Sequence, residues 1–250
     1  MSKNPCRSEN IHLEESDRIP ASEVAEKLAA ARSGPLRILY TGRVSPMKGP
    51  VQWLETLGAL KAAGASFEAR WLGAGELLED ARARACEMGL EQDVTFEGFV
   101  PDRDAVRAAQ RWAHVFLFCH LTDESPRAPI ESLFAATPLV GFADPFAADL
   151  VAEKGAGHLV ARGETGDLAA HLATLDRDRA ALAERLAGNM KVHVFYATRK
   201  TAGSTVASGT DPGAIPVVHG APSVALAQQI ARRGFVRFTV DGLTIERPID

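Results

Sequence analysis

The chain has 250 residues, 46% of them apolar and 24% charged, enough to bury at least one sizeable core. A net charge of −4 with no basic run gives no support to nucleic-acid or membrane-surface binding. Three cysteines, Cys6, Cys86 and Cys119, fit neither a disulfide framework nor a zinc site and point to a reducing compartment. No window approaches the roughly 18 apolar residues of a membrane helix, and the first 20 residues lack the apolar core of a signal peptide, so a cytoplasmic location is expected.

Residues 1–20 are polar and aperiodic and read as a tail or linker. Ser22 is placed to cap a helix over residues 23–32, with Val24, Leu28 and Ala31 on one face, closed by Gly34-Pro35. The first strand, LRILY at 36–40, runs into the loop TGRVSPMKGP at 41–50 and then a helix over 51–63. That loop holds Gly42, Arg43, Lys48 and Gly49. Arg43 offers a planar fork for phosphate oxygens and Lys48 a mobile point charge, although the same residues would serve an ordinary turn with solvated cations.

Phe67, Ala69 and Trp71 alternate along a second strand, and Gly73-Ala74-Gly75 opens a helix to about Met88. This is part of a dinucleotide fingerprint, which would bind NAD through Gly73 and Gly75, but Leu78 stands where its third glycine belongs. The glycines fit better a tight turn or a close approach to a ligand. DVTFE at 93–97 is a third strand and 105–112 a helix, and HVFLFC at 114–119 reads as a strand buried on both faces.

The stretch DESPRAPIESLFAATP at 123–138 follows that buried strand directly, and the rest of the chain is organised around it. Pro129 suits the first position of a helix whose apolar stripe is Ile130, Leu133 and Phe134, which puts Glu131 in the first turn. Free N–H groups around 127–131 would make an anion site, with Asp123, Glu124 and Glu131 beyond the carboxyl end of the strand, where ligands of open α/β sheets bind. On residue types alone, Glu131 could equally be a capping acid and the others solvated.

A strand at 138–142, a helix at 145–153, a short strand at 158–160 and two helices within 166–186 continue the alternation. The expected fold is therefore α/β, a doubly wound parallel sheet covered on both faces. Residues 189–250 carry a net +3 against −7 for residues 1–188, which places a boundary there and divides the chain into 1–20, 21–188 and 189–250. In this last part Val192, Val194 and Tyr196 alternate as a strand, 202–220 reads as loop, Ser223 is placed to cap a helix through Arg233, and Asp241-Gly242 signals a hairpin between 236–240 and 243–245.

Taken in order, GRVSPMKG at 42–49, WLGAG at 71–75, VTFEGFVP at 94–101, the central stretch through ATPLVGF, and DLVAEKGAGHLV at 149–160 resemble the C-terminal, donor-binding half of group 1 retaining GT-B glycosyltransferases. The resemblance implies a Rossmann-like domain that binds a nucleotide sugar and needs no metal. Arg43 and Lys48 look like the pair that neutralises the leaving diphosphate, and Glu131 like the acid that meets the nucleotide ribose. Asp123 stands where the family has a glutamate that meets the sugar, with Glu124 one residue later. Gly42, Gly73, Gly75, Ser125, Arg127 and Ile130 complete the implied donor site. His114, His120, His158 and His171 lack metal-ligand spacing. An acceptor domain from another chain, or self-association, is the expected partnership, and a non-catalytic nucleotide-binding module is the competing reading.

Overall fold

The computed structural model describes residues 18–123, 127–151 and 157–189, together with two strands at 237–240 and 243–246. The chain divides into two units, one of residues 19–190 and one of 1–18 with 191–250.

The larger unit is built on β1 (Leu36–Thr41), whose side chains are buried except the partly exposed Arg37. It is followed by α2 (Pro50–Ala62), β2 (Phe67–Leu72), α3 (Leu78–Glu87), β3 (Val94–Gly98), α4 (Arg103–Trp112) and β4 (Val115–Phe118). Then come α5 (Arg127–Phe134), β5 (Leu139–Phe142), α6 (Pro145–Val151), β6 (Gly157–Val160), α7 (Thr165–Arg177) and α8 (Arg179–Asn189), with α1 (Ala21–Ala31) preceding them all. The six strands form a single parallel sheet in the order β3-β2-β1-β4-β5-β6. Strands of such a sheet are covered on both faces, which is why β1, β4 and β5 read as near-continuous apolar runs.

The order decides where chemistry can occur. The chain builds outward from β1 through β2 to β3, then returns to lay β4 on the other side of β1 and builds away from it. The connections leaving β1 and β4 therefore lead outward in opposite directions along the sheet, and the carboxyl ends of these two strands form the switch point at which ligands of open α/β sheets bind.

Below that switch point the core is aromatic. Tyr40, Trp53, Trp71, Phe116 and Phe118 are all essentially inaccessible to solvent. The rings of Tyr40 and Trp71 lie 4.2 Å apart and those of Trp53 and Trp71 5.3 Å apart. A buried indole needs an acceptor for its N–H. Trp53 Nε1 donates to the carbonyl of Leu117 at 3.2 Å, and Trp71 Nε1 to that of Gly42 at 2.9 Å. The second bond joins the core to the loop that leaves β1.

Helix starts depart from the expectations. α1 begins at Ala21, so Ser22 lies inside it and does not cap it; the flanking residue is the extended Pro20, whose carbonyl accepts from Val24 N–H. α3 begins at Leu78 because residues 74 and 77 spend their backbone groups on Val44: Ala74 O accepts from Val44 N–H and Leu77 N–H donates to Val44 O. α4 begins at Arg103, capped by Asp102, whose side chain accepts from Asp104 N–H at 2.9 Å.

In the other unit, β7 (Arg237–Val240) and β8 (Leu243–Glu246) pair antiparallel with Val240 opposite Leu243, the two-residue hairpin that Asp241-Gly242 signals. The strand expected around 192–196, the loop at 202–220 and the helix at 223–233 lie outside the described residues.

Candidate functional site

The loop from β1 to α2 contains one tight helical turn, Pro46–Lys48, and enters α2 through Gly49 at φ +64°. It is joined to the loop leaving β4, since Leu121 N–H donates to Met47 O at 2.9 Å. The fit is close: a Cβ on Gly49 would stand 2.0 Å from the carbonyl oxygen of Cys119. Lys48 is half-buried at this junction and Arg43 is exposed on the same loop. Two cations are thus set above the carboxyl end of β1, beside the loop that carries the acids.

His120 lies under the junction, 2% exposed, its Nε2 2.8 Å from Tyr40 Oη. Burial first, and then the positive charge of Lys48, lower its pKa to about 3, so the imidazole is neutral in ordinary buffers. Among the described residues no cluster of three or more His, Cys, Asp or Glu is disposed to hold a metal ion.

Gly73 and Gly75 mediate a close approach to protein backbone, where a ligand was the expected partner. A Cβ at Gly73 would lie 1.9 Å from Gly42 O, and one at Gly75 would lie 2.1 Å from Val44 O. The two glycines let the loop after β2 seat the loop that carries Gly42 and Arg43.

On the β4 side, Asp123 is exposed and accepts from Arg162 Nη2 at 2.6 Å. Arg162 follows β6, two strands away. Asp144, after β5, is 6% exposed. Its Oδ1 accepts from Ala147 N–H at 2.7 Å, capping α6. Burial raises the Asp144 pKa, opposed by the backbone bonds of Ala147 and Phe146, with Asp123 raising it and Arg162 lowering it. Glu124 and Ser125 lie outside the described residues.

α5 corrects one expectation. It begins at Arg127, so Pro129 is its third residue and Glu131 its fifth, in the second turn; there is no acid in the first. The first four N–H groups of any helix lack an internal partner, so proline costs no hydrogen bond at the third position either, and its presence does not mark the start. The N–H groups that a helix starting there leaves without an internal partner are accordingly those of Arg127 and Ala128. Arg127 is exposed. Ile130 is 1% exposed and packs in the core. Glu131 is half-buried, with Oε2 accepting from Gln110 Nε2 at 3.2 Å.

Arg162, Asp144 and Gln110 were not among the residues singled out from the sequence. Asp144-Pro145 after a strand carries a readable signal, a capping acid followed by proline at a helix start. Arg162 and Gln110 carry none, because their partners are brought to them by the packing of separate elements.

A doubly wound α/β domain of this strand order belongs to the class of Rossmann-like folds. Residues 23–193 match the family described as "Glycosyl transferases group 1", and the chain belongs to that family. It is 27% identical over 175 residues to a 2-deoxystreptamine glucosyltransferase of Streptomyces kanamyceticus, covering 70% of this chain and 45% of that one. It is 29% identical over 160 residues to the amylovoran biosynthesis glycosyltransferase AmsK of Erwinia amylovora, covering 62% and 39%. The chain thus spans less than half the length of these relatives.

Among solved structures, the C-terminal domain of the glycosyl transferase group 1 family protein LpcC from Francisella tularensis superposes with a TM-score of 0.59 at 16% identity, covering 71% of this chain and 94% of that domain. Anabaena Alr3699/HepE in complex with UDP and glucose gives 0.59 at 18% identity, covering 71% and 49%. The fold is that of the C-terminal half of the GT-B architecture.

Proposed function

We propose that this chain is the donor-binding domain of a retaining glycosyltransferase that transfers a hexosyl group from a nucleoside-diphosphate sugar, with the acceptor bound by a domain outside it. One observation carries the reading: the loop with Arg43 and Lys48 is joined, through Leu121 N–H and Met47 O at 2.9 Å, to the loop that leads to Asp123 and α5, at the point where the strand order reverses.

In this reading the diphosphate lies between Arg43, Lys48 and the free N–H groups at the start of α5. As the bond between the sugar's anomeric carbon and the phosphate oxygen breaks, negative charge grows on that oxygen. Fixed donors and cations in a partly dry crevice stabilise this charge more than the spread charge of the intact donor, which is what lowers a barrier. Asp123 accepts from a sugar hydroxyl and Glu131 from the ribose. The roles of Arg43, Lys48 and the helix N–H groups require no metal. The uridine diphosphate held by Anabaena HepE makes UDP the first nucleotide to try.

The experiment is calorimetric titration of the purified chain with UDP, GDP, ADP and NAD, repeated on Lys48→Ala and Glu131→Ala. One nucleoside diphosphate should bind, weakened about 10-fold or more by each substitution, the size of one charged hydrogen bond. Binding of NAD, or of a nucleotide indifferent to both substitutions, would overturn the reading. A non-catalytic nucleotide-binding module predicts the same binding, and no transfer when a separate acceptor domain is added.

A further inference from the structure

Glu131 is held in place differently from the other acids of the site. Asp123 is paired with a guanidinium, and Asp144 caps a helix. Glu131 Oε2 instead accepts from a neutral amide, Gln110 Nε2, at 3.2 Å. A charged partner would fix the carboxylate but draw on its charge. An amide fixes it and leaves the charge, and the other oxygen, for further O–H donors.

The residue that carries the amide is itself anchored through its backbone. Gln110 is 4% exposed on the last turns of α4. Its backbone carbonyl accepts from Thr137 Oγ1 at 2.8 Å and from Lys27 Nζ at 3.4 Å. Lys27, 5% exposed on α1, also donates to Ala135 O at 2.7 Å and to Thr137 Oγ1 at 2.5 Å. Ala135 N–H in turn donates to Glu131 O at 3.2 Å. The same buried network therefore holds the end of α4, the end of α5 and, through the amide, one oxygen of the Glu131 side chain. A glutamate left loose would lose the rotational freedom of a long side chain each time it gripped a ligand; one already fixed loses much less.

We propose that Gln110 is a positioning residue for Glu131, and that by fixing one carboxylate oxygen it turns the other toward the nucleotide's ribose diol and so sets the site's preference for a ribose over a sugar without those hydroxyls. The proposal rests on the reading that Glu131 meets the ribose. A contact that merely held α4 against α5 would affect all nucleotides alike.

The test compares the affinities of UDP, GDP and ADP with those of their 2′,3′-dideoxy counterparts, using whichever base binds best, in wild type, Glu131→Ala, Gln110→Met and Gln110→Asn. Wild type should prefer the ribonucleotide and Glu131→Ala should lose that preference. Gln110→Met should reduce the preference about five- to tenfold, the size of a net neutral hydrogen bond, while its affinity for the dideoxynucleotide stays within about twofold. Gln110→Asn, whose amide is one methylene too short to reach, should behave as Gln110→Met does and keeps the buried position polar if methionine does not fold there. If Glu131→Ala loses the preference and both Gln110 variants keep it, the positioning role is wrong and the reading of Glu131 stands. Should both Gln110 variants lose affinity for ribo- and dideoxynucleotides in parallel, the contact is structural only. A wild type without preference, or a Glu131→Ala that retains it, removes the ribose reading itself.

Discussion

Replacing Gly49 by alanine tests the junction on which the site is built. Gly49 sits at φ +64°, where a residue with a Cβ is disfavoured by about 1–2 kcal/mol. The added carbon would also stand 2.0 Å from Cys119 O and 3.2 Å from Cys119 Cβ. Neither the carbonyl at the end of β4 nor the start of α2 is a flexible side chain that can swing aside. Relief of such overpacking costs about 1–3 kcal/mol more, for a total of about 2–5 kcal/mol. That is a large part of the roughly 5–15 kcal/mol by which a domain is stable. Gly34 supplies the control, because it has φ +76° and nothing within 4 Å of an added Cβ, so Gly34→Ala should cost only the backbone term. Urea unfolding of both variants separates the two contributions. The same separation of loops would displace Lys48, so Gly49→Ala should also bind nucleotide more weakly than Gly34→Ala. Equal unfolding free energies and equal affinities for the two variants would refute the claim that the loops after β1 and β4 are held in close contact.

Acid should weaken the fold through its histidines. His114 and His120 both have pKa values lowered to about 3, by burial first, with Arg37, Lys27 and Arg179 adding at His114 and Lys48 at His120. An unfolded histidine titrates near about 6.5, so below that pH the unfolded chain binds the extra protons and stability falls, by about 1.4 kcal/mol per pH unit for each residue. Unfolding between about pH 6.5 and 5 should show this slope and His120→Gln should remove about half of it; a flat profile would contradict it. Lys27→Met should lower stability by about 1–3 kcal/mol, since it leaves the Ala135 carbonyl without its 2.7 Å donor, and a more stable variant in thermal unfolding would mean the network is not what holds α4 to α5. Arg162→Ala breaks only an exposed ion pair, so it should change stability by less than about 1 kcal/mol. Asp123→Asn, at the residue assigned to the sugar, should weaken UDP-glucose but not UDP in parallel titrations, and equal weakening would reassign Asp123.

The strands and the order of elements were legible because a parallel sheet covered on both faces leaves runs such as LRILY and HVFLFC that few other structures produce. The pairing of β7 with β8 was legible because Asp-Gly between two alternating runs is a strong hairpin signal. Helix starts were not. Pro129 is as acceptable at the third position as at the first, and nothing in the residue types told the two apart, so Glu131 was placed one turn too early. Gly73 and Gly75 announced a close approach, but the expected partner was a ligand and the observed one is the backbone of Gly42 and Val44, because glycine permits either. The pairs Asp123 with Arg162 and Glu131 with Gln110 could not be read at all. Each joins residues far apart in sequence, and each depends on which strands and helices become neighbours.

The most direct measurement of the central claim is hydrogen–deuterium exchange of the chain with and without a saturating nucleoside diphosphate, UDP first. The account predicts slower exchange in the loop at 42–49, in 119–123 and at the start of α5, with little change in the β7–β8 hairpin. Protection absent from those three segments while the nucleotide is bound, or centred on Gly73–Gly75 with NAD, would contradict a diphosphate site at the reversal between β1 and β4.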